Sequence, residues 1–122
     1  MKTLNIIIVI VSDTRTTATD KSGKSLAKLI SEAGHNVLDK IIIPDNVYEI
    51  RHAVSKYIID SDVDVIITSG GTGITGRDGT PEAVSILLDK KIDGFGEMFR
   101  SISYKKIKSS SLQTRALAGV AN

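Results

Sequence analysis

The chain has no cysteine. That excludes disulfides, a thiolate nucleophile and every cysteine-based metal site, and it permits a cytoplasmic home. It has only two prolines, Pro44 and Pro81, so each marks a specific event in the backbone. Aromatics make up 4% of the residues and the net charge is only +2, so nothing in the balance asks for nucleic acid. The lysines near the end (Lys105, Lys106, Lys108) are accounted for by a solvated helix end. Long apolar runs are also missing. The longest, Leu4 to Val11, is broken by Asn5, falls short of the ~20 residues that span a bilayer, and leads into Ser12-Asp13-Thr14-Arg15 with no small-residue cleavage site. It reads as a buried strand, and no membrane association is expected.

What is present in excess is glycine, concentrated in one stretch. Between an apolar strand at Val65-Ile66-Ile67 and a helix opening at Thr80-Pro81 lie Gly70, Gly71, Gly73, Gly76 and Gly79. Backbone amides in such a loop can approach an anion because no Cβ stands in the way. Thr80 is expected as N-cap and Pro81 as first helical residue, which aims a helix start at the same place. Arg77 suits a phosphate. Asp78 beside a phosphate does not, unless a cation lies between, since like charges ~4 Å apart repel by about 4 kcal/mol at an effective dielectric of 20. The loop therefore reads as a phosphate site that also uses a magnesium ion. Two familiar patterns fit only in part. Gly71-x-Gly73-x-x-Gly76 matches the dinucleotide string but follows the third strand rather than the first. Gly71-x-x-x-x-Gly76 resembles a P-loop, but Arg77-Asp78 replaces its lysine and hydroxyl. A long structural turn is the plain alternative.

Taken in order, the chain alternates strands and helices. A first strand at Leu4–Val11 has a continuous apolar run, which suits a parallel strand covered on both faces. A helix over Gly23–Ala33 follows, capped by Asp20 or Ser22 and closed by Gly34. A second strand, Val37–Ile43, stops at Pro44. Asp45 or Asn46 then caps a helix with Val47, Ile50, Val54, Tyr57 and Ile58 inward. After the central strand and the glycine loop, a helix turns Val84, Leu87 and Leu88 inward. A further helix spans Phe95–Tyr104, whose Phe95 and Phe99 serve the core or a subunit contact. Ser109–Ser111 is read as a loop, and Leu112–Ala118 as a short helix ended by Gly119. The pattern means a parallel sheet wound with helices in one domain, residues 1–122.

The residues then resemble a known family, the molybdenum-cofactor biosynthesis proteins of the MoaB/MogA type, whose fold recurs in gephyrin. The matching pieces are Ser12-Asp13-Thr14-Arg15, Pro44-Asp45, Thr68-Ser69-Gly70-Gly71-Thr72-Gly73, Arg77-Asp78-Gly79-Thr80-Pro81-Glu82-Ala83, Gly94-Phe95-Gly96-Glu97-Met98-Phe99-Arg100 and Leu112-Gln113-Thr114-Arg115-Ala116-Leu117-Ala118-Gly119. The resemblance implies a three-layer α/β/α domain with a mainly parallel sheet that binds molybdopterin. Active members transfer AMP from magnesium-ATP to the molybdopterin phosphate, and a second protein then inserts molybdenum. By the same resemblance Asp45 and Asp78 match the two family aspartates that the reaction needs, and are expected to hold the magnesium. Ser69, Gly70, Gly71, Thr72 and Gly73 would cradle substrate. Ser12, Asp13, Thr80, Glu82 and Thr114 would line the rest of the pocket. The family assembles as homotrimers or homohexamers. Its members continue past the position of Asn122 into a strand, a loop and a closing helix, so a fragment or a truncated protein is expected here. Two further differences are Gly79, where the family more often has a larger apolar residue, and Thr114, where many members have serine. A protein that binds molybdopterin without adenylylating it is the alternative reading.

Overall fold

Strand β1 (Asn5–Val11) forms because six consecutive apolar side chains, Ile6 to Val11, find cover on both faces. In the computed structural model, which describes residues 2–16 and 19–122, all six are at most 5% exposed. β1 is the middle of a parallel sheet of order β2-β1-β3, with β2 at Asn36–Ile43 and β3 at Val65–Ser69. Alternation along β1 feeds two cores. Ile6, Ile8 and Ile10 meet Ile30, Leu26 and Ala27 of helix α1 (Lys21–Glu32). Ile7, Val9 and Val11 meet Ile50, Val54 and Tyr57 of helix α2 (Val47–Ile58), and Ala83 of helix α3 (Thr80–Ser85). Each buried isoleucine contributes roughly 1.5–3 kcal/mol, and β1 supplies half of the twelve buried hydrophobic side chains among the described residues. Helices on both faces of a parallel sheet give the expected three layers.

The caps resolve two open choices. Asp20 caps α1 by accepting from the Gly23 amide at 2.8 Å, and its other oxygen faces Lys40 Nζ at 3.6 Å. Asn46, not Asp45, caps α2, accepting from the amides of Tyr48 and Glu49. That leaves the Asp45 carboxylate available for other work.

Three expectations need correction. Thr80 is not an N-cap: Gly79 holds that position without a side-chain bond, and Thr80 is the first helical residue. Its hydroxyl donates instead to the Gly70 carbonyl at 2.8 Å, which ties the start of α3 back to the start of the loop. The helix expected at Leu112–Ala118 is absent. Helix α4 is longer than expected (Asp93–Ile107) and runs into a 3-10 turn at Lys108–Gln113. The chain from Thr114 is then extended and ends in β5 (Gly119–Val120), antiparallel to the unexpected β4 (Lys90–Lys91). Its polar groups are taken by distant partners: the Arg115 amide donates to the Thr72 carbonyl and the Ile92 amide to the Ala118 carbonyl. Phe95 and Phe99 are not core. They stack on each other at 6.0 Å between centroids and both remain 42% exposed.

No helix among the described residues is long and apolar enough to cross a membrane.

Candidate active site

The strand order places a switch point between β1 and β3, since the connection from β1 leads to β2 on one side while β3 lies on the other. Ligands of open α/β sheets bind in the crevice at the carboxyl ends of such strands. Three loops meet there: Ser12-Asp13 after β1, Asp45 after β2, and the glycine loop after β3.

The glycine loop is closed on itself. Gly70 and Gly71 take φ of +104° and +68°, which turns the chain sharply away from β3. Thr80 then ties both ends, its amide donating to the Gly71 carbonyl at 3.0 Å and its hydroxyl to the Gly70 carbonyl. Among the described residues the amides of Gly71 and Thr72 donate to no acceptor. The amides of Ile74, Gly76 and Arg77 have no acceptor among the described residues either, but these residues are exposed at the loop's tip, whereas Gly71 and Thr72 lie at its base.

Asp13, Asp45, Gly71, Gly79 and Thr80 come together at the base of this loop. Asp45 Oδ1 accepts from the Gly79 amide at 3.0 Å. Its Oδ2 has no hydrogen bond among the described residues and lies 3.0 Å from where a Cβ on Gly71 would stand. Asp13 accepts from Arg77 Nε at 3.1 Å and Nη2 at 2.8 Å, and from the Asp45 amide at 3.0 Å. Arg77, read from sequence as a phosphate ligand, is thus held by a carboxylate 64 positions away. Ser12 does local work: its hydroxyl accepts from the amides of Thr14 and Arg15 and shapes the turn that presents Asp13.

The Arg77 guanidinium holds the Asp13 carboxyl below the usual value of 3.8, with the Asp45 amide adding to the effect. A depressed folded-state pKa means that this latch is complete above 3.8 and is lost only as the pH falls through the lower folded value. We expect the Asp13 carboxyl, followed by NMR of its carbon, to be more than half ionised at pH 3.8, where an unshifted aspartate is half protonated. A midpoint at or above 3.8 would show that the latch does not form.

Asp78 sits on the other side of the loop and faces into it. Its Oδ2 accepts from the Thr75 hydroxyl at 2.6 Å and the Thr75 amide at 2.9 Å. These bonds, with a further one from the Gly73 amide and the nearby charge of Arg115, lower its pKa. Glu82 pairs with Arg115, which holds its carboxyl below the ordinary range. An open cleft of about 370 Å³ lies against this side, between Val47, Ile74, Asp78, Glu82 and Arg115. Ser69 remains within β3 opposite Ile10, and Thr114 lies beside Arg115 with its carbonyl bound by Arg100.

Arg115 is the residue that sequence reasoning missed. It donates to the carbonyls of Gly73 and Asp78, each at 2.7 Å, and to Glu82. Its only sequence signal was its place in a matching motif, and a helical reading of that motif hid its reach. Arg51 was missed too; from α2 it donates to the carbonyls of Glu82 and Ala83 and holds α3 from the opposite side. The helix itself is only six residues long, so its dipole adds less to anion binding than its sequence suggested.

Among the described residues no three histidine or carboxylate side chains stand close enough to hold a metal ion alone. Magnesium does not require such a cage, since it takes one or two carboxylates and completes its shell with phosphates and water. The free Asp45 oxygen fits a magnesium ion that arrives with phosphates. Asp78, across the loop, is partly engaged by Thr75 and Gly73.

The sequence pattern of the family described as "Probable molybdopterin binding domain" matches residues 7–121. The Molybdenum cofactor biosynthesis protein B of Escherichia coli K12 is 48% identical over 117 residues, which cover 96% of this chain and 69% of that protein. A crystal structure of a Molybdenum cofactor biosynthesis protein B superposes with a TM-score of 0.93 at 52% identity, covering 98% of this chain and 75% of the other. The tungsten cofactor synthesizing protein MoaB of Pyrococcus furiosus has a TM-score of 0.85 at 37% identity, covering 100% of this chain and 76% of its own. With matches over nearly the whole chain in sequence and in fold, this chain belongs to the molybdenum cofactor biosynthesis proteins of the MoaB/MogA family, in its MoaB branch.

Proposed function

We propose that this chain adenylylates molybdopterin. An oxygen of the molybdopterin phosphate attacks the α-phosphorus of ATP, the bond from that phosphorus to the bridging oxygen breaks, and pyrophosphate leaves. The observation that carries the reading is the pairing of free donors with a free acceptor: the Gly71 and Thr72 amides have no partner among the described residues, and Asp45 Oδ2 beside Gly71 has none either. Amides alone would suit an anion, and a carboxylate alone a cation. Together they suit a phosphate that carries magnesium. Phosphoryl transfer needs positioning and charge screening more than acid or base help. Magnesium, held by Asp45 and Asp78, would supply the screening. The glycine-loop amides would orient the phosphate, and the cleft beside Asp78 and Glu82 would take the bulk of the substrate. We place the active form in a homotrimer or homohexamer, with the exposed Phe95, Met98, Phe99 and Ile102 face of α4 available for subunit contact, and a molybdenum-inserting protein as the consumer of the product.

A second reading is a protein that binds molybdopterin without transferring AMP. It is favoured by the engagement of the Asp78 carboxylate with its own loop. Incubation with molybdopterin and magnesium-ATP separates the two. Transfer predicts adenylyl-molybdopterin and pyrophosphate in equal amounts, and Asp78→Asn should keep molybdopterin binding while losing about 100-fold or more of the rate. Binding without pyrophosphate release would establish the second reading.

A further inference from the structure

We propose that Arg115 is a positioning residue for AMP transfer: one guanidinium clamps the two ends of the Gly73–Asp78 loop and the Glu82 carboxylate, and so sets where Asp78 and the loop amides stand. The proposal rests on the adenylylation reading for its rate readout, and on geometry for the rest.

The loop needs an external clamp. Its internal bonds join Thr75 and Asp78, through the Asp78 amide to the Thr75 carbonyl at 3.1 Å and the Thr75 amide and hydroxyl to the Asp78 carboxylate. Those bonds close one turn, and the Arg77 latch to Asp13 ties its outer side to the β1 loop, but none of these bonds reaches α3. Ile74, Thr75, Gly76 and Arg77 are all exposed. Arg115 supplies the connection. Its Nε reaches the Gly73 carbonyl and its Nη2 the Asp78 carbonyl, each at 2.7 Å, while Nη1 takes Glu82 on α3. Its own amide donates to the Thr72 carbonyl at 2.8 Å. Residue 115 therefore touches the loop at Thr72, Gly73 and Asp78, and the helix at Glu82.

The clamp is itself held. Arg100 Nη1 donates to the Thr114 carbonyl at 3.1 Å, and the Ile92 amide to the Ala118 carbonyl at 2.9 Å. The extended segment from Thr114 to Ala118 is thus a strap pinned at both ends, with Arg115 reaching from it across the glycine loop. Only a guanidinium meets these three acceptors at once. Lysine keeps the charge but lacks the planar fork. Arg115 belongs to neither core cluster, so its loss should loosen the loop and leave the sheet intact.

The test compares Arg115→Gln and Arg115→Lys with the wild-type chain. Rates are measured with molybdopterin and magnesium-ATP, and amide hydrogen exchange at Thr75 and Asp78 is set against exchange at Ile7 to Val9 in β1. For both variants we expect kcat to fall about 100-fold, the scale of a ~1 Å misplacement of reacting groups. We also expect KM for molybdopterin to move less than about 3-fold, with loop exchange about 10-fold faster or more and β1 unchanged. A kcat within about twofold of wild type in Arg115→Gln would overturn the proposal, as would recovery of full kcat in Arg115→Lys. So would β1 exchange rising as much as the loop's, which would make Arg115 a general support of the fold. If the wild-type chain transfers no AMP, the adenylylation reading fails by itself. Arg115 is then decided by exchange alone: selective loosening of the loop supports the clamp, and an unchanged loop overturns it.

Discussion

Gly70→Ala removes roughly 3–5 kcal/mol of folding stability, against the 5–15 kcal/mol that a domain of this kind has in total. Two effects add. Gly70 has φ of +104°, which an L side chain tolerates poorly. Its added Cβ would also stand 2.2 Å from the Val11 carbonyl oxygen and 3.2 Å from the carbon. Those are backbone atoms of the central strand, packed between two cores, and they cannot move aside. Gly34 supplies the control. It has φ of +88° at the end of α1, but a Cβ there meets nothing within 4 Å, so Gly34→Ala should cost only about 1–2 kcal/mol. Urea unfolding of the two variants measures the difference. Equal losses would mean that the backbone angle alone matters, and that the approach of Gly70 to β1 is not a constraint.

That close approach also shows where the sequence was informative. Ile6 to Val11 could be read as a doubly covered strand because its signal is local: every position is apolar, and the structure buries every one. The glycine cluster was equally legible, since a run of glycines between a strand and Thr-Pro has few other uses. Its internal wiring was not. Thr-Pro suggested a cap, but the Thr80 hydroxyl goes to Gly70, ten residues back. Arg77 suggested a phosphate ligand, but Asp13 waits 64 residues away. The segment from Leu112 to Ala118 has helical spacing, yet the Thr72 carbonyl and the pairing of β4 with β5 draw it out straight. Strand β4 is two exposed lysines with no apolar signal at all. For Thr80, Arg77 and Arg115 a partner distant in sequence decides what the side chain does. For the site, Asp45 and Asp78 were given their reaction role by the resemblance, and the contacts of Arg77 and Arg115 that hold the loops beside them were not legible.

Asp45→Asn is expected to leave stability within about 1 kcal/mol of wild type and to reduce AMP transfer about 1000-fold. The amide oxygen of asparagine can still accept from the Gly79 amide, so the link between the β2 loop and α3 survives. What disappears is the negative charge at Oδ2, beside Gly71, where the proposed magnesium needs it. Two neighbouring substitutions separate the roles that this short stretch combines. Asp45→Ala loses the charge and the link together, and should also loosen the Gly79 end of the loop. Asn46→Ala loses only the cap of α2, costing about 1 kcal/mol, and should transfer AMP at the wild-type rate. Initial rates and urea midpoints on the three variants give the pattern. If Asp45→Asn transfers as fast as the wild type, the charge is unused and Asp45 is a loop clip alone. If Asn46→Ala slows transfer as much as Asp45→Asn does, the loss comes from disturbing the start of α2, and the carboxylate holds no special place in the reaction.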